Sequence, residues 1–550
     1  MALPARANRT AGGVAGGGSG GLVLTPRIGM ACIGLSGAAT FMVSVAGASV
    51  MEPVLPGRGG QPPWAFNLHL SPYLAVGLTA LGVVAGAAGL VLTLRAMRGG
   101  WLVPARAVLL AGLAAAAVLS LVPPFGSSDP LSYAAYGRMV VTGHNPYLTT
   151  PAQLAALGDP VAHAVQDWFT QPSVYGPLAS GIQALAALIG GTSARLTVFV
   201  LGLANLIAFA VTALLLYRMT SGRPDRQLRA ALLWAANPLL LQVLVAGGHV
   251  DTLQIVFCVA AVAVLYRQPT IIRAASAGGL VGLGFAVKVT AALIGLGLAI
   301  ALVVSLRNLG PRLIALIGAL AAGFAVVAGA ALAIGGSAML TTTSRASDMV
   351  SIGSPWRVTR TALQHAFGHG AATDIVKAGA IALAVLLAVL LIRVFSRAPD
   401  WDGATAMTYL PLALVLGWLF AWPYVLPWYD ALGWALLALV PASGVDWLVL
   451  ARTAALGLGY LPARTVDAPL PHGLHWIQPV FRNGMAPVVL GATVLCLVAI
   501  TVRNRYSASS DIGIAHSARA PGGSDRHPDG DARAPARRSG GEGMRSADRR

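Results

Sequence analysis

Residues 177–190 read PLASGIQALAALIG, and whether this stretch crosses a membrane fixes how the rest of the chain is threaded. As a helix it would be only about 21 Å long at 1.5 Å per residue, against a hydrocarbon core of roughly 30 Å. The charges that follow give an independent test. The loop from Arg218 to Arg229 contains four Arg: Arg218, Arg223, Arg226 and Arg229. If 177–190 crossed, that loop would face outward, against the cytoplasmic preference of basic residues. If 177–190 lies on the outer surface, the loop faces the cytoplasm. Arg95/Arg98, Arg267/Arg273, Arg307/Arg312 and Arg393/Arg397 then fall on the same side.

Outward from that segment, apolar runs occur at about 28–50, 73–94, 105–122, 195–217, 230–247, 250–266, 271–288, 290–306, 311–334, 374–394, 404–421, 428–441, 444–461 and 485–502. The expected fold class is an all-α polytopic membrane protein with about 14 transmembrane helices (range 12–15). The 56% hydrophobic content and mean hydropathy of +0.72 agree with this. The net charge of +18 points away from nucleic acid once the charges are placed, because Arg falls mainly in short loops and in the tail. Lys occurs only at 288 and 377 and Glu only at 52 and 542, a bias toward Arg, Ala and Gly that reflects a GC-rich genome. Cys32, Cys258 and Cys496 all lie in apolar segments, so no loop disulfide framework is expected.

Arg6, Arg9 and Arg27 before an apolar run resemble a signal peptide, but the run is longer than a usual signal core and reads as an uncleaved first span. The expected organisation is a disordered cytoplasmic N-terminus over 1–27, a transmembrane domain over 28–502 and a disordered basic cytoplasmic tail over 503–550. Outer loops are expected at about 51–72, 123–194, 335–373 and 462–484, and loops this long are usually functional. There is no clear internal repeat of the kind that marks inverted transporter halves. P-loop, Rossmann and metal-ligand spacings are also missing. No cofactor is therefore expected, and weak divalent-cation binding by a single carboxylate is left open.

The loop after the third span reads Ser127-Ser128-Asp129-Pro130-Leu131-Ser132-Tyr133-Ala134-Ala135-Tyr136-Gly137-Arg138, and later Gly143-His144-Asn145-Pro146-Tyr147 and Tyr175-Gly176-Pro177. An acid where a span opens into a loop marks a functional site. Asp before Pro is equally the signature of a helix start, with Asp as cap. Asp129, Tyr133 and Tyr136 would share one helical face. Tyr136 and Arg138 also suit interfacial anchoring, His144 a turn, and Tyr147 and Tyr175 packing.

In Gly247-Gly248-His249-Val250-Asp251 a hairpin with an Asp251 cap explains every residue except His249, which is suited to a sugar hydroxyl or a phosphate. Lys288 ends an apolar run and needs either an anion or a path to the interface. Arg345, Arg357 and Arg360 in the loop 335–373 suit phosphate or lipid headgroups. Trp422-Pro423-Tyr424 and Pro427-Trp428-Tyr429-Asp430 form an aromatic rim, either an interfacial belt or a sugar platform.

Together these features resemble the GT-C glycosyltransferases. More narrowly, the Ser128–Gly137 and Gly143–Tyr147 stretches look like the actinobacterial α-1,6-mannosyltransferases of the MptA/MptB type, with the MptB type favoured. Gly248-His249-Val250-Asp251 and Pro427-Trp428-Tyr429 are consistent with that, and the resemblance covers most of 28–502.

It implies a GT-C fold with surface-lying helices in a large first outer loop. The enzyme would transfer mannose from polyprenyl-phosphomannose to a mannan glycolipid acceptor outside the plasma membrane, in lipomannan and lipoarabinomannan synthesis. Transfer from a β-linked phosphate to an α-linkage is an inversion, which one general base can serve. The resemblance assigns that base to Asp129. Lys288, Arg138, Arg345, Arg357, Arg360 and His249 would hold the donor phosphate. Tyr133, Tyr136, His144, Tyr147, Tyr175, Asp251, Trp428 and Tyr429 would contact donor sugar or acceptor. The alternatives are a GT-C enzyme for another lipid-linked sugar such as arabinose, or a multi-span transporter. A transporter predicts midplane acids and compact loops.

Overall fold

The computed structural model describes residues 19–266, 268–306, 310–398, 400–463 and 470–517. Residues 1–18, Arg267, Arg307, Asp467 and the tail beyond 517 lie outside the described residues. Among the described residues the secondary structure is helical, apart from an isolated bridge between Ser49 and Glu52. Nine helices there are long and apolar enough to cross a membrane, so the chain is an all-α polytopic membrane protein. The other five expected runs fold as helices of 8 to 17 residues: Ala105–Leu119, Asp251–Tyr266, Ile271–Val287, Asp430–Leu437 and Val445–Gly459. At 1.5 Å per residue the longest of these reaches only about 26 Å.

Those short helices pack against long ones in the interior. Pro224–Ala246 and Gly403–Ala421 are the most enclosed of the long helices. In lipid no apolar surface is withdrawn from water by helix packing, so close fit and satisfied polar groups hold the bundle together. Trp234 donates its indole N–H to the Phe209 carbonyl at 3.1 Å, and Trp434 donates to Thr453 Oγ1 at 3.0 Å. Between Ile271–Val287 and Pro311–Ser347 the backbones nearly touch. A Cβ on Gly278 would lie 2.0 Å from the Leu320 carbonyl oxygen.

The two ends of the bundle differ in chemistry. At one end, Arg229 grips Asp446 through two bonds of 2.7 and 2.9 Å, both side chains buried, and Arg98 reaches the same carboxylate at 3.3 Å. Arg226 donates to the Leu439 carbonyl at 2.9 Å nearby.

At the opposite end, connecting segments are tied together through their backbones. Phe125 N–H donates to Ala246, Gly126 N–H to Met51, Arg195 N–H to Pro56 and Gly176 N–H to Val287, all within 2.9 Å. The Pro177–Gly190 helix belongs to this end. It presses so closely on the Asp129–Val141 helix that a Cβ on Gly137 would lie 2.1 Å from the Gln183 carbonyl. Its Leu185, Leu188 and Ile189 are exposed.

Candidate active site

Asp129 opens the Asp129–Val141 helix, but its carboxylate does not cap it. Ser128 occupies the cap position without a side-chain bond to the helix amides, and Ser127 Oγ accepts from the Asp129 amide at 3.1 Å. The carboxylate points the other way. Oδ2 accepts from the Tyr133 hydroxyl at 3.3 Å and lies 3.4 Å from His249 Nδ1, while Oδ1 accepts from Trp168 Nε1 at 3.2 Å. Tyr133 can reach it because it lies one helical turn further on.

His249 arrives from a broken helix. Pro238 interrupts Pro224–Ala246, and the helix is π-helical on both sides, at Ala231–Ala235 and Leu241–Ala246, a distortion often found at functional sites. Asn237 repairs the break. Its Oδ1 accepts from the Leu239 and Leu240 amides at 3.1 and 3.3 Å, and its Nδ2 donates to the Leu233 carbonyl at 3.0 Å. Gly248 then turns the chain at φ +65°, in the left-handed region that glycine tolerates. His249 is 1% exposed and stacks on Trp428, with ring centroids 3.5 Å apart and planes 14° from parallel.

A second group lies beside the first. Lys288 Nζ donates to Asp251 Oδ1 at 2.7 Å and sits 3.8 Å from the centre of the Tyr429 ring, a cation–π contact. Asp251 is buried, and its Oδ2 has no hydrogen-bond partner among the described residues. The Tyr175 hydroxyl donates to that of Tyr133 at 3.3 Å, and the two rings meet edge to face at 5.2 Å. Burial, with the nearby charges of Asp129 and Asp251 adding to it, pushes both hydroxyls well above the usual tyrosine range. Both therefore stay protonated as donors. Trp428 also packs edge-on against Tyr429 and Tyr460, and Arg482 lies over Tyr460 at 5.6 Å.

Asp129, Tyr133, Tyr175, His249, Asp251, Lys288, Trp428 and Tyr429, from distant parts of the sequence, thus converge. The other expected residues sit elsewhere in the hydrogen-bond pattern. The Tyr136 hydroxyl donates to the Gln171 carbonyl at 3.1 Å, and Arg138 pairs with Asp159 at 2.8 Å. His144 Nδ1 lies 3.0 Å from Thr142 Oγ1, and the Tyr147 hydroxyl is 3.2 Å from Ser180 Oγ. Arg345 is on Pro311–Ser347, and Arg357 and Arg360 are on Pro355–Phe367; among the described residues no ion pair joins any of them to the cluster.

Sequence reasoning missed Trp168, Tyr460 and Arg482. Trp168 adopts φ +62°, a conformation that side-chain-bearing residues avoid and that is often held at functional positions. Its segment is fastened to the start of the Asp129–Val141 helix. Ser128 Oγ donates to the Asp167 carboxylate, and Ser132 Oγ donates to the Asp167 carbonyl at 3.1 Å. The adjacent Asp167-Trp168 pair in a long loop was the available signal. Glu52, at the same end, is 1% exposed. Burial pushes its carboxyl well above the usual range, and neither carboxyl oxygen has a hydrogen-bond partner among the described residues. Among the described residues no three His, Cys, Asp or Glu side chains converge to hold a metal ion.

Residues 31–305 match a family model described as alpha-(1->6)-mannopyranosyltransferase, N-terminal domain, of the MptA_B family. The matched region includes Asp129, Trp168, His249, Asp251 and Lys288 and ends before Trp428. The alpha-(1->6)-mannopyranosyltransferase Rv1459c of Mycobacterium tuberculosis is 31% identical over 138 residues, which cover 25% of this chain and 23% of that protein. The alignment therefore spans about a quarter of that relative's length. No solved structure matches the chain.

Proposed function

This chain belongs to the MptA_B family of alpha-(1->6)-mannopyranosyltransferases, and from that premise we propose that it transfers mannose from a polyprenyl-phosphomannose donor to a mannan glycolipid acceptor. The reaction is inverting, takes place on the outer side of the plasma membrane, and uses Asp129 as general base. The observation that carries this reading is the buried Asp129 carboxylate, joined to His249 and Tyr133 and lying beside the Lys288–Asp251 pair.

The acceptor hydroxyl gives its proton to an Asp129 oxygen as its own oxygen attacks C1 of the donor mannose. The bond from C1 to the phosphate oxygen breaks from the opposite face, releasing polyprenyl phosphate and inverting the anomeric centre. Phosphate leaves without a proton, and its developing charge needs a fixed cation. Lys288 fills that role, turning from Asp251 toward the phosphate. Asp251 Oδ2, buried and without a partner among the described residues, accepts from a hydroxyl of the transferred sugar.

The outward orientation rests on the Arg-rich opposite end of the bundle, which the positive-inside preference assigns to the cytoplasm. The test is mannose transfer in vesicles supplied with polyprenyl-phosphomannose and a short α-1,6-mannoside, comparing wild type with Asp129→Asn. Product from the wild type alone supports the reading. Product from both removes Asp129 as base, and product from neither removes the donor.

A further inference from the structure

Trp168 occupies the Asp129 oxygen not contacted by Tyr133 or His249, yet its side chain lies at the surface. The segment that carries it also borders a separate cleft of about 410 Å³. It is lined by Val54 and Pro56 together with residues 163–166 and Phe169. Both stretches belong to connecting segments at the site end of the bundle, not to the long apolar helices. The volume falls within the usual range for small-molecule sites, about 300–1,000 Å³. The lining sets Val, Pro, Ala and Phe surfaces beside one imidazole and one amide. That combination fits a ligand with apolar C–H faces edged by hydroxyls.

We infer that the cleft between Val54/Pro56 and residues 163–169 is an extended acceptor subsite for an oligosaccharide. It takes sugar units behind the one whose hydroxyl reacts, and Trp168 links it to the base. An arriving acceptor hydroxyl replaces the indole N–H at Asp129 Oδ1, and the freed ring packs against the acceptor sugar. This inference rests on the proposed transfer reaction for the identity of the sugar but makes a separate binding prediction.

The experiment measures calorimetric binding of α-1,6-linked mannobiose and mannotetraose to the purified full-length protein in detergent. The comparison is between wild type, Val54→Trp and His163→Ala. Val54 is exposed, so a larger side chain fills the cleft without disturbing the packed interior. The tetrasaccharide should bind wild type about tenfold more tightly than the disaccharide, a difference of roughly 1.4 kcal/mol. Val54→Trp should abolish that advantage and leave mannobiose binding unchanged, and His163→Ala should reduce it. Equal affinities for the two sugars in wild type, or an advantage that survives Val54→Trp, would overturn the inference. Length-dependent binding without transfer from polyprenyl-phosphomannose would keep the cleft and refute only the proposed reaction.

Discussion

His249 Nδ1 lies 3.4 Å from Asp129 Oδ2, and the imidazole is fixed there by face-to-face stacking on Trp428. The two residues come from separate helix starts, so their meeting is a product of the bundle and not of local sequence. A carboxylate gripped in this way has one fixed orientation, which a general base requires before substrate arrives.

Asp129→Asn keeps the size of the side chain and most of its contacts but removes the base. Transfer should fall by about 10²–10⁴-fold, the usual contribution of general base catalysis, with little change in thermal stability. Transfer rates in vesicles and a melting curve on the same preparation check this together.

His249→Phe preserves stacking on Trp428 and deletes the nitrogen beside Asp129. Loss of the buried contacts that this nitrogen makes with Asp129 Oδ2 and the Tyr133 hydroxyl, worth about 1–3 kcal/mol, should lower kcat by roughly 10–100-fold. A positioning role predicts a changed pH profile of kcat/KM. A purely structural role would instead lower stability and leave that profile in place.

Lys288→Met strands the Asp251 carboxylate in a buried position, which typically costs about 3–5 kcal/mol. Adding Asp251→Asn should restore the melting temperature but not the transfer rate, because the phosphate still lacks its cation. Recovery of transfer in the double variant would remove Lys288 from the reaction.

Arg229→Met should lower stability, but by less than the about 3–5 kcal/mol of a stranded carboxylate, because Arg98 still pairs with Asp446 at 3.3 Å. The pair lies at the end of the bundle opposite the site. Activity per folded molecule should therefore be unchanged, as measured by transfer normalised to the fraction that stays monodisperse.

Glu52 carries a pH signature. Its carboxyl is raised by burial, so the folded chain binds the proton more tightly than the unfolded chain. The stability contributed by that proton is complete below the ordinary glutamate value of about 4.3 and is lost as pH rises through the folded value. Glu52→Gln keeps the neutral shape at all pH. It should match wild type near that lower limit and become progressively more stable than wild type toward neutral pH, as read from melting temperatures across a pH series.

The sequence by itself determined the membrane class and the apolar runs, and it singled out Asp129, His249, Asp251 and Lys288 as candidates. These depend on local quantities: run length, hydropathy, and the cost of placing an ionisable group near lipid. Only the tertiary structure decided which charges pair with one another. Arg138 looked as available as Lys288, but Asp159 reaches back across a loop to bind it. Trp168 looked like any loop aromatic until its backbone turned at φ +62° and aimed its N–H at Asp129. The structure also shows that, among the described residues, nine of the fourteen expected runs form helices long enough to cross a membrane, while the other five form shorter helices. Side-chain pairing across a bundle depends on which helix ends meet, and no sequence window contains that information.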